Sequence, residues 1–369
     1  METNDYLTKQ IITYMGNKRK LLSNINTVVD EIQDILKKDN LIIGDGFSGS
    51  GITSRLFKTK ANKLYVNDIA GYSKTLNNCY LSTPNNETIK KIHKYIDKAN
   101  EIANNNNDTK EPWISKHWSP NDDNNIKENE RAYFTNNNGK RIDKIRDYIE
   151  KIPENIRDYI KAPLLVESSI HNNTNGQFSA FYKDGSIGKY GGKKSTDIKR
   201  ITKSIELPYP IFNKNNCDVE VSQSDTNNWV QNIPEVDIMY YDPPYNKHPY
   251  NIYYFLLDII NNWDKTIDIP NTNRGQPNER VKSSYNSSIH AESALINLLK
   301  NTKATYIILS YNDGGIISIP RLDEILKKYK DVNKIPINHK VYNRLKGISK
   351  YKREKDYTDV KEFLYVIKK

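Results

Sequence analysis

The sequence predicts an α/β protein built on a mostly parallel, doubly wound sheet, and three observations carry that prediction. Apolar strand-like runs alternate with helical patterns, which is the signature of βαβ units. The runs end on unusual turns: "DGFSGSG", "NDIAG", "QSDTN" and "DPPYN". A polar block rich in lysine and glycine interrupts the alternation after its second unit and so reads as an insertion.

Taken in order, "KRKLLSNINTVVDEIQDILKK" places Leu21, Leu22, Ile25, Val28, Val29, Ile32, Ile35 and Leu36 at helical spacing, an amphipathic helix. "NLIIGDGFSGSGITSRLF" gives a strand, a glycine turn and a helix start, and "NKLYVNDIAGYSKTLNNCYL" repeats the unit with an acidic turn. From Leu81 to Ile205 the chain becomes polar and aromatic-spotted, then helical, then rich in glycine and lysine. Three further strands are expected at "DVEVSQSD", "VDIMYYDPPY" and "ATYIILSYND", with "KVYNRLKG" and "EFLYVIKK" as a closing antiparallel pair. The expected organisation is therefore a core split into residues 1–80 and 206–369, with 81–205 as an inserted lobe. In such sheets ligands bind beyond the carboxyl ends of the strands, which is where the unusual turns fall.

The chain has 369 residues, 36% of them hydrophobic, and a formal charge of +11. Its isoelectric point is near 9.2 and its mean hydropathy −0.79. A basic surface favours a polyanionic partner through counterion release, although an AT-rich genome would also enrich Asn and Lys. Cys79 and Cys217 are far apart, so neither a disulfide framework nor a metal site is expected, and a reducing compartment such as the cytoplasm follows. No apolar run reaches the roughly 18 residues that span a bilayer, and "METNDYLTKQ" lacks the apolar region of a secretory signal.

"DGFSGSG" lets the backbone approach a ligand at Gly49 and Gly51, or it is only a tight connection. It is not a phosphate loop, because "GxxxxGK[ST]" is missing, and Phe47 and Ser48 break the dinucleotide pattern. Asp68 sits where an acid can accept from a ribose diol; Asp68 and Asp225 could each instead be a helix cap. Acids at successive strand ends suit a neutral or cationic nucleoside better than a triphosphate.

Asp242-Pro243-Pro244-Tyr245 stops an apolar strand on two rigid residues. The prolines remove two N–H donors and fix φ, so a carboxylate and carbonyls are presented with little freedom. Side-by-side acceptors match an amino group with two N–H donors, such as the exocyclic amine of adenine or cytosine. Tyr245 offers a face on which a base can stack, worth on the order of 1–3 kcal/mol. The plainer alternative is a strand terminator with a surface tyrosine.

With "DxFxGxG" upstream of "DPPY", the chain resembles the S-adenosylmethionine-dependent amino-methyltransferases of DNA. "YMGNKRKLL" is similar to the N-terminal motif of the D12, α-group adenine-N6 class that contains the Dam methylases. "APLLVESSIHNNT", "IELPYPIF", "DPPYNKHPYNIYYFLLDII", "ILSYNDGG" and "EFLYVIKK" resemble the FokI-type enzymes of restriction–modification systems. The resemblance runs from about Tyr14 to Lys368. It implies a Rossmann-like methyltransferase fold in which the insertion is the target-recognition lobe.

The resemblance also implies roles. Asp45, Phe47, Gly49 and Gly51 would surround the methionine end of S-adenosyl-L-methionine, with Tyr14 and Gly16 of the N-terminal motif beside them. Asp68 would take the ribose hydroxyls, Asp225 the cofactor adenine's amine, and Lys18 the cofactor carboxylate or the mouth of the target pocket. Asp242 and the Pro243 carbonyl, held by Pro244, would accept from N6 of a flipped adenine stacked on Tyr245. Tyr250, Tyr253 and Tyr254 could close the pocket, or pack in a helix. Asp at position 242 favours adenine N6; cytosine-N4 enzymes usually carry Ser there, and RNA and protein methylases more often Asn.

Double-stranded DNA would meet Lys189, Lys193, Lys194, Lys199 and Arg200 in the insertion, Arg274 and Arg280 after the catalytic turn, and "NRLKGISKYKREK" near the end. No "PD…ExK" nuclease element stands out, so a cognate restriction endonuclease would be a separate partner, and action as a monomer is expected. The rival readings are methylation of cytosine N4 or RNA adenine, and a silent methylase-like module that only binds DNA.

Overall fold

The computed structural model describes residues 2–105, 109–247, 249–278, 283–342 and 357–369. β1 (Leu41–Asp45) and β2 (Ala61–Asp68) come first, and β3 (Lys183–Asp184) and β4 (Ile187–Gly188) form a small separate hairpin. β5 (Asp218–Gln223), β6 (Val236–Tyr241), β7 (Ala304–Asn312), β8 (Asp331–Tyr342) and β9 (Tyr357–Lys368) complete the main sheet.

Its spatial order is β5-β2-β1-β6-β7-β9-β8. All neighbours from β5 to β7 are parallel, while β9 is antiparallel to both β7 and β8. Strand order runs outward from β1 through β2 to β5 on one side, and from β6 to β7 on the other. The switch point therefore lies between β1 and β6, and a crevice is expected beyond their carboxyl ends.

Strand alternation assigns side chains to the two faces. Ile43, Ile238, Tyr240 and Ile308 face the helix Leu22–Leu36, packing with its Ile25, Val28, Val29 and Ile32. Met239, Tyr241, Ile307 and Leu309 join Trp229, Leu295, Leu298 and Leu322 on the opposite face. Every residue of β6 is buried, as a central strand covered on both sides requires.

The inserted segment is helical up to Ile170, with helices Asn86–Asn104, Ile114–Trp118, Asn136–Ile149 and Glu154–Ile170. It is not set apart from the sheet layers. Ile92, Ile96, Ile142, Leu164 and Leu165 share one buried core with Tyr72 and Leu76 of the helix Gly71–Tyr80 and with Phe255, Leu256 and Ile260 of the helix Tyr250–Asn262. The closing pair is antiparallel as expected, but β8 begins at Asp331 rather than Lys340 and carries Pro336 opposite Phe363. As the edge strand it tolerates a proline, whose missing N–H can face away from the sheet. No described helix is long and apolar enough to cross a membrane.

Candidate active site

β1 ends at Asp45, which is fully buried; its Oδ2 accepts from Thr53 Oγ1 at 2.9 Å and Ser54 Oγ at 2.6 Å. Burial pushes this carboxyl up to about 6, with the Ser54 and Thr53 hydroxyls opposing. Gly46 N–H donates to Tyr240 O at 3.0 Å, tying the turn to β6, and Ser48 N–H donates to Asn67 O at 3.0 Å, tying it to β2. Gly49 and Gly51 both hold positive φ, +51° and +76°. A Cβ on Gly51 would lie 2.6 Å from Asn77 Oδ1, and one on Gly49 3.0 Å from the Tyr14 ring. The glycines are thus required by dihedral and by close approach together.

Asp68 closes this turn from the next strand: Oδ2 accepts from Gly49 N–H at 2.7 Å and Oδ1 from Ala70 N–H at 2.9 Å. Burial raises its pKa against those amides. Asp225 caps the helix Thr226–Asn232, accepting from Asn227 and Asn228 N–H at 3.0 and 3.3 Å, and it also lines the site cavity. Cap and ligand wall coincide in one residue. Asn67, which sequence reasoning passed over, donates to Ser224 O at 3.0 Å and to Gly46 O at 3.4 Å, holding three strand ends together. A buried polar residue one position before a strand-end acid was its only signal.

The acid–proline turn follows β6. Lys18 reaches it: its ammonium lies 3.0 Å from Asp242 Oδ1 and 2.5 Å from Glu362 Oε1, with the Tyr245 ring centroid 5.5 Å away. Lys18 therefore joins the acid–proline turn, and its ion pairs with Asp242 and Glu362 accompany its burial. Burial raises the Asp242 carboxyl to about 7; the Lys18 charge opposes this and Glu362 adds to it. Lys18 is itself held well above its ordinary value, because Asp242, Tyr245 and Glu362 outweigh the effect of its burial. Glu362, on β9, was missed because "EFLYVIKK" reads as strand; a lone acid opening an apolar run was the available clue.

The tyrosines after the turn all pack on the core, and Tyr250 also lines the cavity. Tyr250 and Tyr254 stack near-parallel on Tyr14, with centroids 5.2 and 4.7 Å away, while Tyr254 Oη accepts from Met15 N–H at 2.6 Å. Tyr254 is buried in the core, Tyr253 packs against it, and Tyr250 reaches the cavity.

That cavity is about 610 Å³, within the usual range for a small-molecule site. Tyr14, Gly16, Phe47, Gly49, Asp68, Asp225, Asp242, Pro244 and Tyr250 line it, joined by Asp258 of the helix Tyr250–Asn262. Lys18, Asp45, Gly51, Pro243 and Tyr245 are not among its lining residues. Asp45 and Gly51 instead shape the turn from beneath, and Tyr245 packs edge-on to Tyr311, its carbonyl accepting from Ile316 N–H at 2.8 Å. Asp68, Asp225, Asp242 and Asp258, a glycine cradle and an aromatic wall fit a nucleoside carrying a positive charge. The buried Asp45 carboxyl, below the turn and close to the Phe47 amide, adds a further acidic group beneath the cavity.

The basic residues diverge. Lys193, Lys194 and Lys199 are exposed; Lys189 pairs with Asp184 at 3.1 Å, and Lys193 approaches the same carboxylate at 3.9 Å. Arg200 is committed to carbonyls: it donates to Ile170 O, to Asn172 O at 2.9 Å and to Thr174 O at 3.1 Å. Arg274 is half-buried, and its carbonyl accepts from Trp118 Nε1 at 3.0 Å. Arg280 and "NRLKGISKYKREK" lie outside the described residues. No metal-binding group of His, Cys, Asp or Glu occurs among the described residues.

A mostly parallel sheet with a nucleoside-sized cavity at its switch point and a buried acid–proline turn on the adjoining strand defines the class: a methyltransferase of the S-adenosylmethionine-dependent fold. Within it, the chain belongs to the D12 class N6 adenine-specific DNA methyltransferases, whose family pattern matches residues 14–312. It is 28% identical over 364 residues to the Type II methyltransferase M.NlaIII of Neisseria lactamica, covering 97% of this chain and 99% of that protein. It is 26% identical to the Type II methyltransferase M.CviAII of Paramecium bursaria Chlorella virus 1, covering 96% and 98%. Against the Type II methyltransferase M.FokI of Planomicrobium okeanokoites, also 26% identical, the match covers 96% of this chain and only 52% of the longer relative.

Proposed function

We propose that this DNA adenine methyltransferase transfers the methyl group of S-adenosyl-L-methionine to N6 of an adenine flipped out of double-stranded DNA, at a specific site. Its role would be to protect that site from a separate cognate restriction endonuclease. The observation that carries the reading is that Asp242 shares one cavity with Asp68 and the glycine turn.

The methyl donor, when bound, supplies a methyl group on a positively charged sulfur that leaves as a neutral thioether. The chain's own residues do the rest. Asp68 offers acceptors for a ribose diol, Asp225 an acceptor for an adenine amine, and Tyr14, Phe47 and Tyr250 supply apolar walls. Asp242 and the Pro243 carbonyl accept the two N–H bonds of the target N6, drawing its lone pair away from the ring and aiming it at the methyl. As the N–C bond forms, nitrogen gains positive charge, and one of its protons leaves to Asp242 or water. No strong base is required before attack, so positioning and electrostatics supply most of the catalysis.

Incubating the purified chain with methyl-labelled S-adenosyl-L-methionine and unmethylated duplex DNA, followed by digestion to nucleosides, tests the reading. Label should appear in N6-methyldeoxyadenosine at one recurring sequence. Label in deoxycytidine, in RNA alone, or in neither would overturn it.

A further inference from the structure

Under the catalytic turn three charged groups meet from remote parts of the chain. Lys18 begins the short helix Lys18–Leu21 and Glu362 lies on β9; each is 4% exposed. The Lys18 ammonium donates to Glu362 Oε1 at 2.5 Å, and Ser310 Oγ on β7 donates to the same oxygen at 3.1 Å. Asp242 Oδ1 is 3.0 Å from the ammonium, an ion-pair distance, and is itself buried, so the part of this side chain that an incoming amine can meet is the one turned away from Lys18.

A neutral Lys18–Asp242 pair would satisfy local charge balance. A second buried carboxylate leaves the group with surplus negative charge, which costs stability unless it serves something else. The lysine side chain is a flexible stem ending in a compact charge with three donors. Given only Asp242, it would settle on that carboxylate and compete for it with an incoming amine. Glu362 instead takes the short hydrogen bond.

We propose that Glu362 is a positioning residue for methyl transfer: it holds the Lys18 ammonium to one side of Asp242, so that the Asp242 carboxylate stays charge-compensated while an acceptor oxygen remains available to the target N6 amine. The inference rests on Asp242 being that acceptor. Glu362 lies beyond the matched family span of 14–312, on the strand that inserts antiparallel between β7 and β8.

The test compares Glu362→Gln and Glu362→Asp with the parent full-length chain, measuring kcat and both KM values from pH 5.5 to 9. The groups facing Asp242 are Lys18, Glu362 and Asp45, with Tyr240, Tyr245 and Tyr250 around them. Removing the Glu362 charge leaves the Lys18 ammonium to act on Asp242 alone, so the inflection in kcat should move to lower pH. Glu362→Gln should lower kcat roughly ten- to a hundredfold, the scale of a small misplacement of a reacting group, with both KM values and the melting temperature little changed. Glu362→Asp should recover part of the loss. Unchanged kcat and pH profile in Glu362→Gln would overturn the proposal. So would a loss accompanied by a lower melting temperature and an unmoved inflection, because that marks a purely structural residue. Asp242→Ala, run alongside, separates the two readings: full activity there removes Asp242 as the acceptor whatever Glu362 does.

Discussion

Asp242 combines a catalytic demand with an unfavourable setting. Burial lifts its carboxyl to about 7, and only the deprotonated form can accept from an amine with both oxygens. Methyl transfer should therefore rise with pH through an inflection near 7. Asp242→Asn keeps one acceptor oxygen, so it should retain measurable activity and lose the inflection, while Asp242→Ala should lose roughly 10²- to 10⁴-fold in kcat. The sign of the stability effect is the opposite of a salt-bridged acid. Because the folded state holds the proton to a higher pH than the unfolded chain, stability is lost as pH rises from about 4 toward 7. Above that range Asp242→Asn should melt at a higher temperature than the parent, as calorimetry at pH 8 would show. The acid itself was legible, since prolines leave few reasons to end a buried strand that way. Its partners were not: Lys18 and Glu362 are 344 residues apart in sequence, and only the sheet's order brings them together.

At the scale of elements, what the sequence revealed was the turns, because a strand that stops on glycines or prolines shows its end in residue type alone. The glycine turn gives a measurable contrast. Gly51 has φ +76° and a Cβ position 2.6 Å from Asn77 Oδ1, whereas Gly185 has φ +67° with nothing within 4 Å. Gly185→Ala should cost only the left-handed backbone penalty, roughly 1–2 kcal/mol. Gly51→Ala adds a clash with a side chain that is fixed by donating to Ser48 Oγ at 2.9 Å, so it should cost about 1–3 kcal/mol more and weaken binding of the methyl donor. Urea denaturation of both variants checks the difference; equal losses would remove Asn77 as a constraint. Elements without a turn signal were harder to read. The start of β8 was concealed by Pro336, which argues against a strand everywhere except at an edge. The helix Asn136–Ile149 was legible as helical, but its run of asparagines hid where it starts; Thr135 caps it by accepting from Asn138 N–H. Within it, Asn138 Oδ1 accepts from Ile205 N–H at 2.9 Å.

Over the whole molecule, the charge of +11 pointed toward a polyanion, but it could not say which cations are available to meet one. The fold sorts them by what they already touch. Lys193 and Lys194 are exposed beside the buried Gly191-Gly192 turn, with Lys193 only 3.9 Å from Asp184. Arg200, close to them in sequence, instead braces the chain leaving the helix Glu154–Ile170 through its bonds to Ile170, Asn172 and Thr174 carbonyls. Sequence proximity grouped these residues; tertiary hydrogen bonding divides them. Phosphate neutralisation sets the salt dependence of DNA binding, with a slope of about 0.9 per neutralised phosphate in log K against log salt. Lys193→Gln with Lys194→Gln should therefore flatten that slope by roughly 0.9 for each phosphate left without its lysine, weaken binding evenly across DNA sequences, and leave kcat at saturating DNA unchanged. Arg200→Gln should act in the opposite pattern, lowering the melting temperature because carbonyls lose their donors, with little change in slope. Titrations at several salt concentrations, paired with thermal melts, distinguish the two. A salt slope that falls for Arg200→Gln and not for the lysine variant would mean that DNA binding draws Arg200 off its carbonyls, and that the insertion rearranges around its target.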